Sequence, residues 1–501
     1  MAIADYHERA ALAASQVIAG FEPDLFRETL EQTVVGLGVG SQAAKSNEGK
    51  ALAELAVRLL ARLYPVLELR VELPQEAERL ALLARAINPR IEIAKGASVG
   101  ISIGDGPPTF ETTYFAGSNG WDAFLSAREP VKTGSSQNPF GAGIAACLAA
   151  GNVFNRVLMP DWEQRTTREL VFSAFERTNK KTPDDISNCG WKLSGDAVLV
   201  GAGAIGNGAL WALALSQLQG QLHIVDPETL ELSNLQRYVL AERSDEGTSK
   251  VHLAESHLGG TLKPLPHQQN WAEFVSREGY AWPSVLVALD TAAARRSVQA
   301  SLPKWIANSW TQPGDLGVSI HGPFNGSGAC LCCLYLPSSR LPNEDEVVAR
   351  ALGVPASVME VRTLLHTGQG VSRQFIEAVA AGLDQPLEHV LPYEGRPLRE
   401  MYVEGVCGGG IISLGSPGAQ PHELHVPLAH QSALAGVLLA SALIRHAVLN
   451  DEKTTMITRL NVLRAVGDEL TQPSLKAGNG LCICDDPDYL EVFQAKWFPS
   501  S

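Results

Sequence analysis

The sequence has little positive charge for its length. Its 501 residues include 40 Lys and Arg against 54 Asp and Glu, which gives a formal net charge of −14 at pH 7. Phosphate backbones and anionic lipid surfaces repel an acidic chain, so this composition argues against a nucleic-acid partner and against an anionic membrane partner. A neutral or basic protein partner can bind this acidic chain with less electrostatic repulsion.

The sequence also lacks a long uninterrupted apolar run. The stretch from Ala197 to Leu215 is among the most apolar, but glycines and polar residues interrupt it and it falls short of a membrane span. The segment from Met1 to Glu8 shows neither the basic nor the apolar region of a secretory signal. We therefore expect a cytoplasmic protein with no membrane partner.

Cysteine is scarce and unevenly distributed. The chain has eight cysteines, and in a cytoplasmic protein clustered cysteines suggest metal binding or catalysis rather than disulfides. At roughly 150 residues per domain, the length predicts about three domains, or two large ones with an insertion. The cysteines are Cys147, Cys189, Cys330, Cys332, Cys333, Cys407, Cys482 and Cys484.

A glycine-rich turn follows an apolar run near the middle of the chain. The turn reads Gly201-Ala-Gly203-Ala-Ile-Gly206, and a second apolar run about 20 residues later ends in Asp226. A strand, a glycine turn, a helix and a second strand form one βαβ unit of a parallel sheet. Such a turn lets the backbone approach a phosphate, and the acid binds ribose hydroxyls. Binding of NAD or FAD, and a turn used only for packing, are the alternatives at this point.

Polar residues beyond Asp226 favour a nucleoside triphosphate over a dinucleotide. Asn234 and Arg237 follow on the next loop, Lys250 opens the next helix pattern, and Asp290 ends a later apolar run. Guanidinium and ammonium groups bind phosphate oxygens, and a carboxylate can hold magnesium. Hydride transfer needs no cation in this position. The set therefore predicts nucleotidyl transfer.

Together these motifs resemble the ubiquitin-activating-enzyme superfamily, which includes the bacterial ThiF and MoeB adenylyltransferases. The resemblance covers roughly residues 190–495. Members of this family use ATP to adenylate the C-terminal glycine of a ubiquitin-like or sulfur-carrier protein and release pyrophosphate. The residues that the resemblance assigns to ATP binding are Gly201, Gly203, Gly206, Asp226, Asn234, Arg237, Lys250 and Asp290.

The resemblance also implies a role for each polar group. Asp226 binds the ribose, Arg237 and Lys250 act with Asn234 on the phosphates, and Asp290 holds magnesium. We assign Arg237, Lys250 and Asp290 to the catalytic machinery as well. Glu228 and Tyr238 depart from the family pattern, but neither departure removes a charge that the mechanism needs.

Two cysteine pairs separated by a long insertion predict a structural zinc site. The first pair has the family spacing Cys330-x-x-Cys333, whereas the second, Cys482-x-Cys484, is one residue shorter than the family pattern. This departure leaves the fourth ligand open, with Cys332 or Asp485 as substitutes. Free buried thiols are the alternative. We take Cys330, Cys333, Cys482 and Cys484 as the metal ligands.

Cys407 stands alone beside three glycines. A thiol on a glycine-rich loop is suited to nucleophilic attack, and the resemblance places a thioester-forming cysteine between the two zinc pairs. The alternative is a cysteine that packs under the glycine turn. Cys147 lies in an Ala-rich helix pattern and is expected in the core, and Cys189 is undecided.

Two segments suggest an internal duplication. Residues 138–158 and 426–446 align in pattern without gaps, and both begin with Pro and continue as Ala-rich helices. A second glycine cluster, Gly36 to Gly40, precedes a helical pattern near the N-terminus. Two unrelated Ala-rich helices would be the alternative.

We predict an α/β fold, a Rossmann-like ThiF/MoeB adenylation fold with an inactive N-terminal half, an active C-terminal half and a helical insertion that carries the cysteine. The predicted segments are 1–185 for the inactive adenylation-like domain, 186–336 for the ATP-binding domain, 337–420 for the helical insertion with the cysteine loop, and 421–501 for the rest of the adenylation domain.

A chain with this organisation resembles the activating enzyme of bacterial ubiquitin-like conjugation operons linked to phage defence. The resemblance implies three cofactors, ATP, magnesium and structural zinc. It implies two partners, a ubiquitin-like protein with a C-terminal glycine and a ubiquitin-conjugating-like enzyme. The alternatives are a sulfur-carrier protein adenylyltransferase of the thiamine or molybdopterin type, a non-catalytic scaffold for a ubiquitin-like protein, and a dinucleotide oxidoreductase.

Overall fold

A computed structural model describes residues 3–336, 344–402, 426–449, 455–467, 470–478 and 480–499. The chain divides into two compact units. The main unit comprises residues 1–19, 26–336 and 427–501, and the helical unit comprises residues 20–25 and 337–426. The main unit contains both β-sheets and every predicted site residue except Cys407, which lies outside the described residues.

The strands come from apolar, β-branched runs of the kind that a sheet covered on both faces requires. They are β1 (Val34–Val39), β2 (Val66–Val71), β3 (Glu92–Ile93), β4 (Val99–Ile103), β5 (Thr112–Asn119), β6 (Asp122–Ser126), β7 (Glu169–Ser173), β8 (Ala197–Val200), β9 (Gly220–Val225), β10 (Leu262–His267), β11 (Ser284–Val287), β12 (Trp305–Gln312), β13 (Asp315–His321), β14 (Met456–Leu460) and β15 (Thr471–Pro473).

Helices connect the parallel strands, and several begin at side-chain caps such as Ser46, Asn270 and Thr291. They are α1 (His7–Ser15), α2 (Pro23–Gln32), α3 (Asn47–Leu60), α4 (Pro74–Ile87), α5 (Phe140–Leu158), α6 (Trp162–Arg165), α7 (Ala204–Leu215), α8 (Lys250–His257), α9 (Trp271–Glu278), α10 (Ala292–Ala300), α11 (Glu344–Ala351), α12 (Val358–Thr367), α13 (Arg373–Gly382), α14 (Leu387–Val390), α15 (Leu398–Glu400), α16 (Ala429–Leu449) and α17 (Pro487–Trp497).

The main unit contains two sheets with one shared topology. The first has the order β3-β2-β1-β4-β5-β6-β7, and the second has the order β10-β9-β8-β11-β12-β13-β14-β15. In each sheet the first five strands pair in parallel, and the later ones pair antiparallel. The second sheet is a copy of the first with one added edge strand.

The helices repeat in the same way. Helix α3 follows β1 as α7 follows β8, and α5 lies between β6 and β7 as α16 lies between β13 and β14. The two segments that align in the sequence therefore contain α5 and most of α16, and these two helices occupy equivalent places in the two copies. Of the N-terminal glycine cluster, Gly36 and Gly38 lie inside strand β1 and Gly40 directly follows it.

The equivalent helices form the centre of the main unit. Helix α16 packs along α7 so closely that a Cβ on Gly208 would lie 2.7 Å from the carbonyl oxygen of Ala433. Helices α5 and α16 are long and apolar enough to cross a membrane, yet 83% and 72% of their apolar windows are buried inside the fold. Burial on this scale is what the core helices of a folded domain show.

The described part of the helical unit has its own apolar core. Helices α11 to α15 supply it, with Leu352, Val361, Ile376 and Leu398 among its fully buried members. The helical pattern expected for this insertion is present in residues 344–402.

Candidate functional site

The glycine turn joins β8 to helix α7 at the carboxyl edge of the second sheet. Gly201 has a φ of +97°, and a Cβ there would lie 2.5 Å from the carbonyl oxygen of Ala288. Only glycine fits this conformation and this approach without strain. Gly203 is the residue before α7, and no side chain caps the helix there. The free N–H groups at this helix start are suited to an anion.

Asp226 fixes the turn from the next strand. Its carboxylate accepts hydrogen bonds from the backbone N–H groups of Ala202 at 2.8 Å and Glu228 at 2.9 Å. Burial raises the pKa of Asp226 above its ordinary value, although Lys250 and the two N–H groups oppose this effect. Each carboxylate oxygen has one protein donor, which leaves acceptor capacity for ribose hydroxyls.

Two cations and one phenol lie beside the turn. The Arg237 guanidinium is 5.5 Å and the Lys250 ammonium 5.2 Å from the centre of the Tyr238 ring, and Lys250 also binds Glu228. A Cβ on Gly203 would lie 3.4 Å from the Tyr238 hydroxyl, so this ring borders the turn. Burial lowers the pKa of Lys250, but hydrogen bonds to Glu228 and Tyr238 outweigh it and the pKa lies above its ordinary value. Lys250 is therefore a buried ammonium ion.

A third cation reaches this region from helix α1. Burial and the nearby positive charge of Arg237 lower the pKa of Arg9, and Glu231 opposes them. The Nε atom of Arg9 is buried and has no hydrogen-bond partner among the described residues. Two neighbouring guanidinium groups repel each other unless an anion neutralises them. The pair is consistent with a phosphate-binding site.

Asn234 and Asp290 occupy different surroundings. Asn234 is buried in the 3-10 helix Leu232–Gln236, where its side-chain oxygen accepts the backbone N–H of Glu231 at 3.1 Å. Asp290 is exposed beyond the end of β11, at the same edge of the sheet as the glycine turn. Arg295 lies beneath this loop and donates to the Leu289 carbonyl at 2.9 Å, so it holds the loop that carries Asp290.

The first sheet has a counterpart of the acid but not of the whole site. Glu72, directly after β2, accepts the backbone N–H of Ser41 at 2.7 Å, just as Asp226 accepts that of Ala202. The turn after β1 has only its first glycine, Gly40, and helix α3 begins only at Asn47. The short phosphate-binding turn is therefore missing from the N-terminal copy.

Four cysteines meet at the other end of the second sheet. The Sγ atoms of Cys330, Cys333, Cys482 and Cys484 all lie within 4.8 Å of one another, and the contacts range from 3.4 to 4.0 Å. Four thiolates around one tetrahedral zinc at ~2.3 Å would lie about 3.8 Å apart. The described thiols therefore have the donor set and spacing for a metal ion.

The structure separates the other cysteine candidates from this cluster. Cys332 donates to the carbonyl oxygen of Arg296 at 3.8 Å, and Asp485 pairs with Lys476, so neither belongs to the four-thiol group. Cys147 is fully buried in α5, as expected, and burial raises its pKa above the ordinary range. Cys189 is exposed.

Comparison with known proteins identifies the family. A family model described as "ThiF family" matches residues 192–479, more than half of the chain. The chain belongs to the ThiF family. This result confirms the resemblance seen in the sequence and the Rossmann-like α/β fold that it implied. A second model, described as "Prokaryotic E2 family C", matches residues 38–159, within the part of the chain that forms the first sheet.

Several proteins are similar to this ThiF-family chain. It is 44% identical to Uncharacterized protein y4jF of Sinorhizobium fredii, over 99% of this chain and 98% of that one. The Nedd8-activating enzyme E1 catalytic subunit of Drosophila melanogaster is 34% identical over 21% of this chain and 24% of its own length. Adenylyltransferase and sulfurtransferase UBA4 of Vanderwaltozyma polyspora is 30% identical over 34% of this chain and 42% of its own. The match therefore spans less than half of each of these two enzymes.

A solved structure of E. coli MccB with MccA-N7isoASN is also similar, with 13% identity and a TM-score of 0.35 over 58% of this chain and 67% of that one.

The sequence identified most, but not all, of the groups that the structure brings together. Gly201, Asp226, Arg237 and Lys250 lie together at the carboxyl edge of the second sheet. The four cysteines of the cluster lie together at the other end of that sheet. Arg9 was missed, because one arginine in an N-terminal helix has no motif around it. The contact of Tyr238 with both cations was also missed.

Proposed function

We propose that this ThiF-family protein is an ATP-dependent activating enzyme for a ubiquitin-like protein with a C-terminal glycine. Family membership supports adenylyltransferase chemistry. One observation carries the proposal to this site: the buried Asp226 carboxylate holds the glycine turn, and the cations of Arg237 and Lys250 flank the Tyr238 ring that borders the same turn. An acid for ribose and cations for a triphosphate fit ATP better than a dinucleotide.

The residues divide the work of adenylation. Asp226 binds the ribose, and the start of α7 binds phosphate oxygens. Arg237, Lys250 and Arg9 neutralise the charge that develops on the leaving pyrophosphate. A carboxylate at the edge of such a site is the ligand that magnesium prefers, and Asp290 would hold the ion against the phosphates. Magnesium would supply further charge neutralisation when bound.

The finer steps rest on the resemblance. After adenylation, the Cys407 thiolate would displace AMP to form a thioester, and a ubiquitin-conjugating-like enzyme would accept the modifier. Zinc would occupy the four-thiol cluster as a structural ion. A role in bacterial antiphage defence and a cytoplasmic location belong to the same proposal. The match of residues 38–159 to a prokaryotic E2 family supports a conjugation pathway.

The direct test is ATP–pyrophosphate exchange. We expect exchange that requires magnesium and is stimulated by a small ubiquitin-like protein that ends in glycine. The same ubiquitin-like protein without its last glycine is the matched control and should not stimulate. No exchange above background with any Gly-terminated modifier would contradict the proposal.

A second candidate is a sulfur-carrier protein adenylyltransferase. The similarity to a protein named Adenylyltransferase and sulfurtransferase UBA4 favours it. This candidate shares the adenylation step but has no thioester with the modifier. Exchange without any thiol-sensitive adduct would favour it over the activating enzyme.

A further inference from the structure

The N-terminal copy of the fold sends two arginines into the active copy. Arg58 lies in the last turn of α3, and Arg62 follows the end of that helix. Arg58 Nη1 donates to the carbonyl oxygens of Val239 at 3.1 Å and Leu240 at 3.3 Å. Arg62 Nη2 donates to those of Tyr238 and Ala241, both at 2.5 Å. Four consecutive carbonyl groups, residues 238–241, therefore accept hydrogen bonds from two side chains of the other copy.

This segment is part of the candidate ATP site. It begins directly after Arg237, and its first residue is Tyr238, whose ring contacts both Arg237 and Lys250. Besides a turn bond from the Ala241 N–H to the Tyr238 carbonyl at 3.0 Å, the Leu240 N–H donates to the side-chain oxygen of Asn207 at 3.3 Å. The two arginines add four hydrogen bonds to the carbonyl groups, and so restrain the segment from the side of the N-terminal copy.

Both arginines are buried where their positive charge is costly. Arg62 is 2% exposed and Arg58 is 6% exposed, and Arg58 also pairs with Glu54 at 3.0 Å. A buried guanidinium without a full carboxylate partner is expensive, and here backbone carbonyls take up its donors.

A small cavity with a mixed apolar and polar lining lies beside the same junction. It has a volume of about 20 Å³, and Arg62, Tyr64, Gln236 and His430 are among the residues that line it. Arg62 Nε, Tyr64 Oη, Gln236 Oε1 and His430 Nε2 are buried and have no hydrogen-bond partner among the described residues. This is room for one water molecule with enough polar atoms to hold it. Gln236 immediately precedes Arg237 and lines this cavity together with Arg62. Arg62 therefore lies near the chain on both sides of Arg237.

We propose that Arg58 and Arg62 are positioning residues for nucleotide binding, through which the N-terminal copy holds residues 234–241 in the ATP-binding conformation. The proposal assigns the N-terminal copy a task beyond being an inactive duplicate. It rests on the proposed function only where it names ATP as the ligand. The geometric part, restraint of the segment, stands independently of that.

The test compares Arg58→Gln and Arg62→Lys with Arg79→Gln. Arg79 is the matched control, because it also pairs with Glu54, at 3.2 Å, but does not contact residues 238–241. Hydrogen–deuterium exchange of the full-length protein without nucleotide is measured for peptides that cover residues 234–241. We expect exchange on the order of tenfold faster in both test variants, confined to this segment, and no change in the control.

The second measurement is the KM for ATP and the kcat in pyrophosphate exchange. A positioning role predicts a KM on the order of tenfold higher with a smaller change in kcat. A purely structural role would lower the active fraction and leave KM unchanged. Should Arg62→Lys fail to fold, Arg58→Gln carries the test alone.

The outcomes separate this proposal from the proposed function. Wild-type exchange rates for residues 234–241 in a folded Arg58→Gln, faster exchange spread evenly over the chain, or an unchanged KM would overturn the positioning role. A wild-type protein without pyrophosphate exchange would contradict the proposed function, and the deuterium measurement would still decide on Arg58 and Arg62.

Discussion

The carboxylate of Asp226 accepts the backbone N–H of Ala202 at 2.8 Å, which joins the end of β9 to the glycine turn after β8. The first sheet repeats this bond between Glu72 and Ser41 at 2.7 Å. The same local connection therefore occurs in both copies, but in the second copy the charge of Lys250 acts on Asp226, and Arg237 and Lys250 flank the nearby Tyr238 ring. This difference provides a matched pair of variants.

Asp226→Ala should weaken ATP binding, whereas Glu72→Ala should not. Loss of a charged hydrogen-bond acceptor costs about 1.5–3 kcal/mol, which is roughly 10- to 100-fold in Kd. Asp226→Ala loses two bonds from backbone N–H groups and Glu72→Ala loses one, so thermal stability should fall in both variants and is measured alongside binding. Titration calorimetry with ATP measures the difference. If Glu72→Ala weakened binding as much as Asp226→Ala, the nucleotide would have to be assigned to the first sheet as well.

Asp290→Ala should slow pyrophosphate exchange. Removal of one group that stabilises developing charge lowers the rate by on the order of 10² or more. Asp290 is exposed and follows the end of β11, so its loss should leave the fold unchanged. Glu255→Ala, an exposed acid on α8, is the control for a general change in surface charge. A wild-type rate in Asp290→Ala would remove the assignment of this residue to magnesium.

The local parts of the site could be predicted from the sequence, because neighbouring residues specify them. The apolar run, the glycine turn and Asp226 form one βαβ unit, so its spacing alone placed the acid beside the turn. Lys250 opens helix α8, as its pattern indicated.

The long-range parts could not be predicted, because no local pattern carries them. Arg62 contacts Tyr238 and Ala241 across more than 170 residues, and Arg9 reaches Arg237 across more than 220. The meeting of the two cysteine pairs is long-range but was predicted, because paired cysteines form a recognisable motif. The short spacing of the second pair left only the fourth ligand open, and the 3-10 helix Ile483–Asp485 brings Cys484 to Cys333 at 3.5 Å.

Cys333→Ser should lower the metal content and the thermal stability. We expect about one zinc per wild-type chain, because four thiolates form a closed structural site and its binding is coupled to folding. Cys189→Ser is the control, since this exposed cysteine lies outside the four-thiol cluster. Each kcal/mol lost should lower Tm by less than the ~2–4 °C typical of domains of roughly 150–250 residues, because the entropy of unfolding grows with chain length. Elemental analysis that finds no zinc in the native protein would contradict the assignment.

Cys407→Ala should keep pyrophosphate exchange but lose the covalent adduct with the modifier. In the proposed step the thiolate attacks the carbonyl carbon of the acyl-adenylate, a C–S bond forms, and AMP leaves with the electron pair. A non-reducing gel with a thiol-treated lane shows the adduct. Cys189→Ala is the control. If the adduct survived in Cys407→Ala and disappeared in Cys189→Ala or Cys332→Ala, the nucleophile would be Cys189 or Cys332 and the assignment of Cys407 would be wrong.

His430 should make the protein less stable in mild acid. It is buried at the start of α16 against the Phe154 ring and lines the small cavity with Arg62. Burial lowers its pKa from 6.5 to about 3, so the folded protein holds it neutral. The unfolded chain binds a proton below about pH 6.5 that the folded chain does not, and stability falls as the pH drops from there toward 3. The expected slope from this residue is about 1.4 kcal/mol per pH unit.

His430→Leu should remove that slope from the free energy of unfolding. His321 and His446 are also buried with pKa values lowered to about 4, so they contribute to the total acid sensitivity in both proteins but not to the difference. Denaturant titrations at pH 7.5, 6.5 and 5.5 measure it, with His252→Gln on the exposed side of α8 as the control. Because the titration of residue 430 in the unfolded state is the only one removed, the free energy of unfolding of His430→Leu should rise relative to that of the wild type as the pH falls. Parallel pH profiles for the two proteins would show that the pKa of His430 is not lowered in the folded state, which would contradict the prediction.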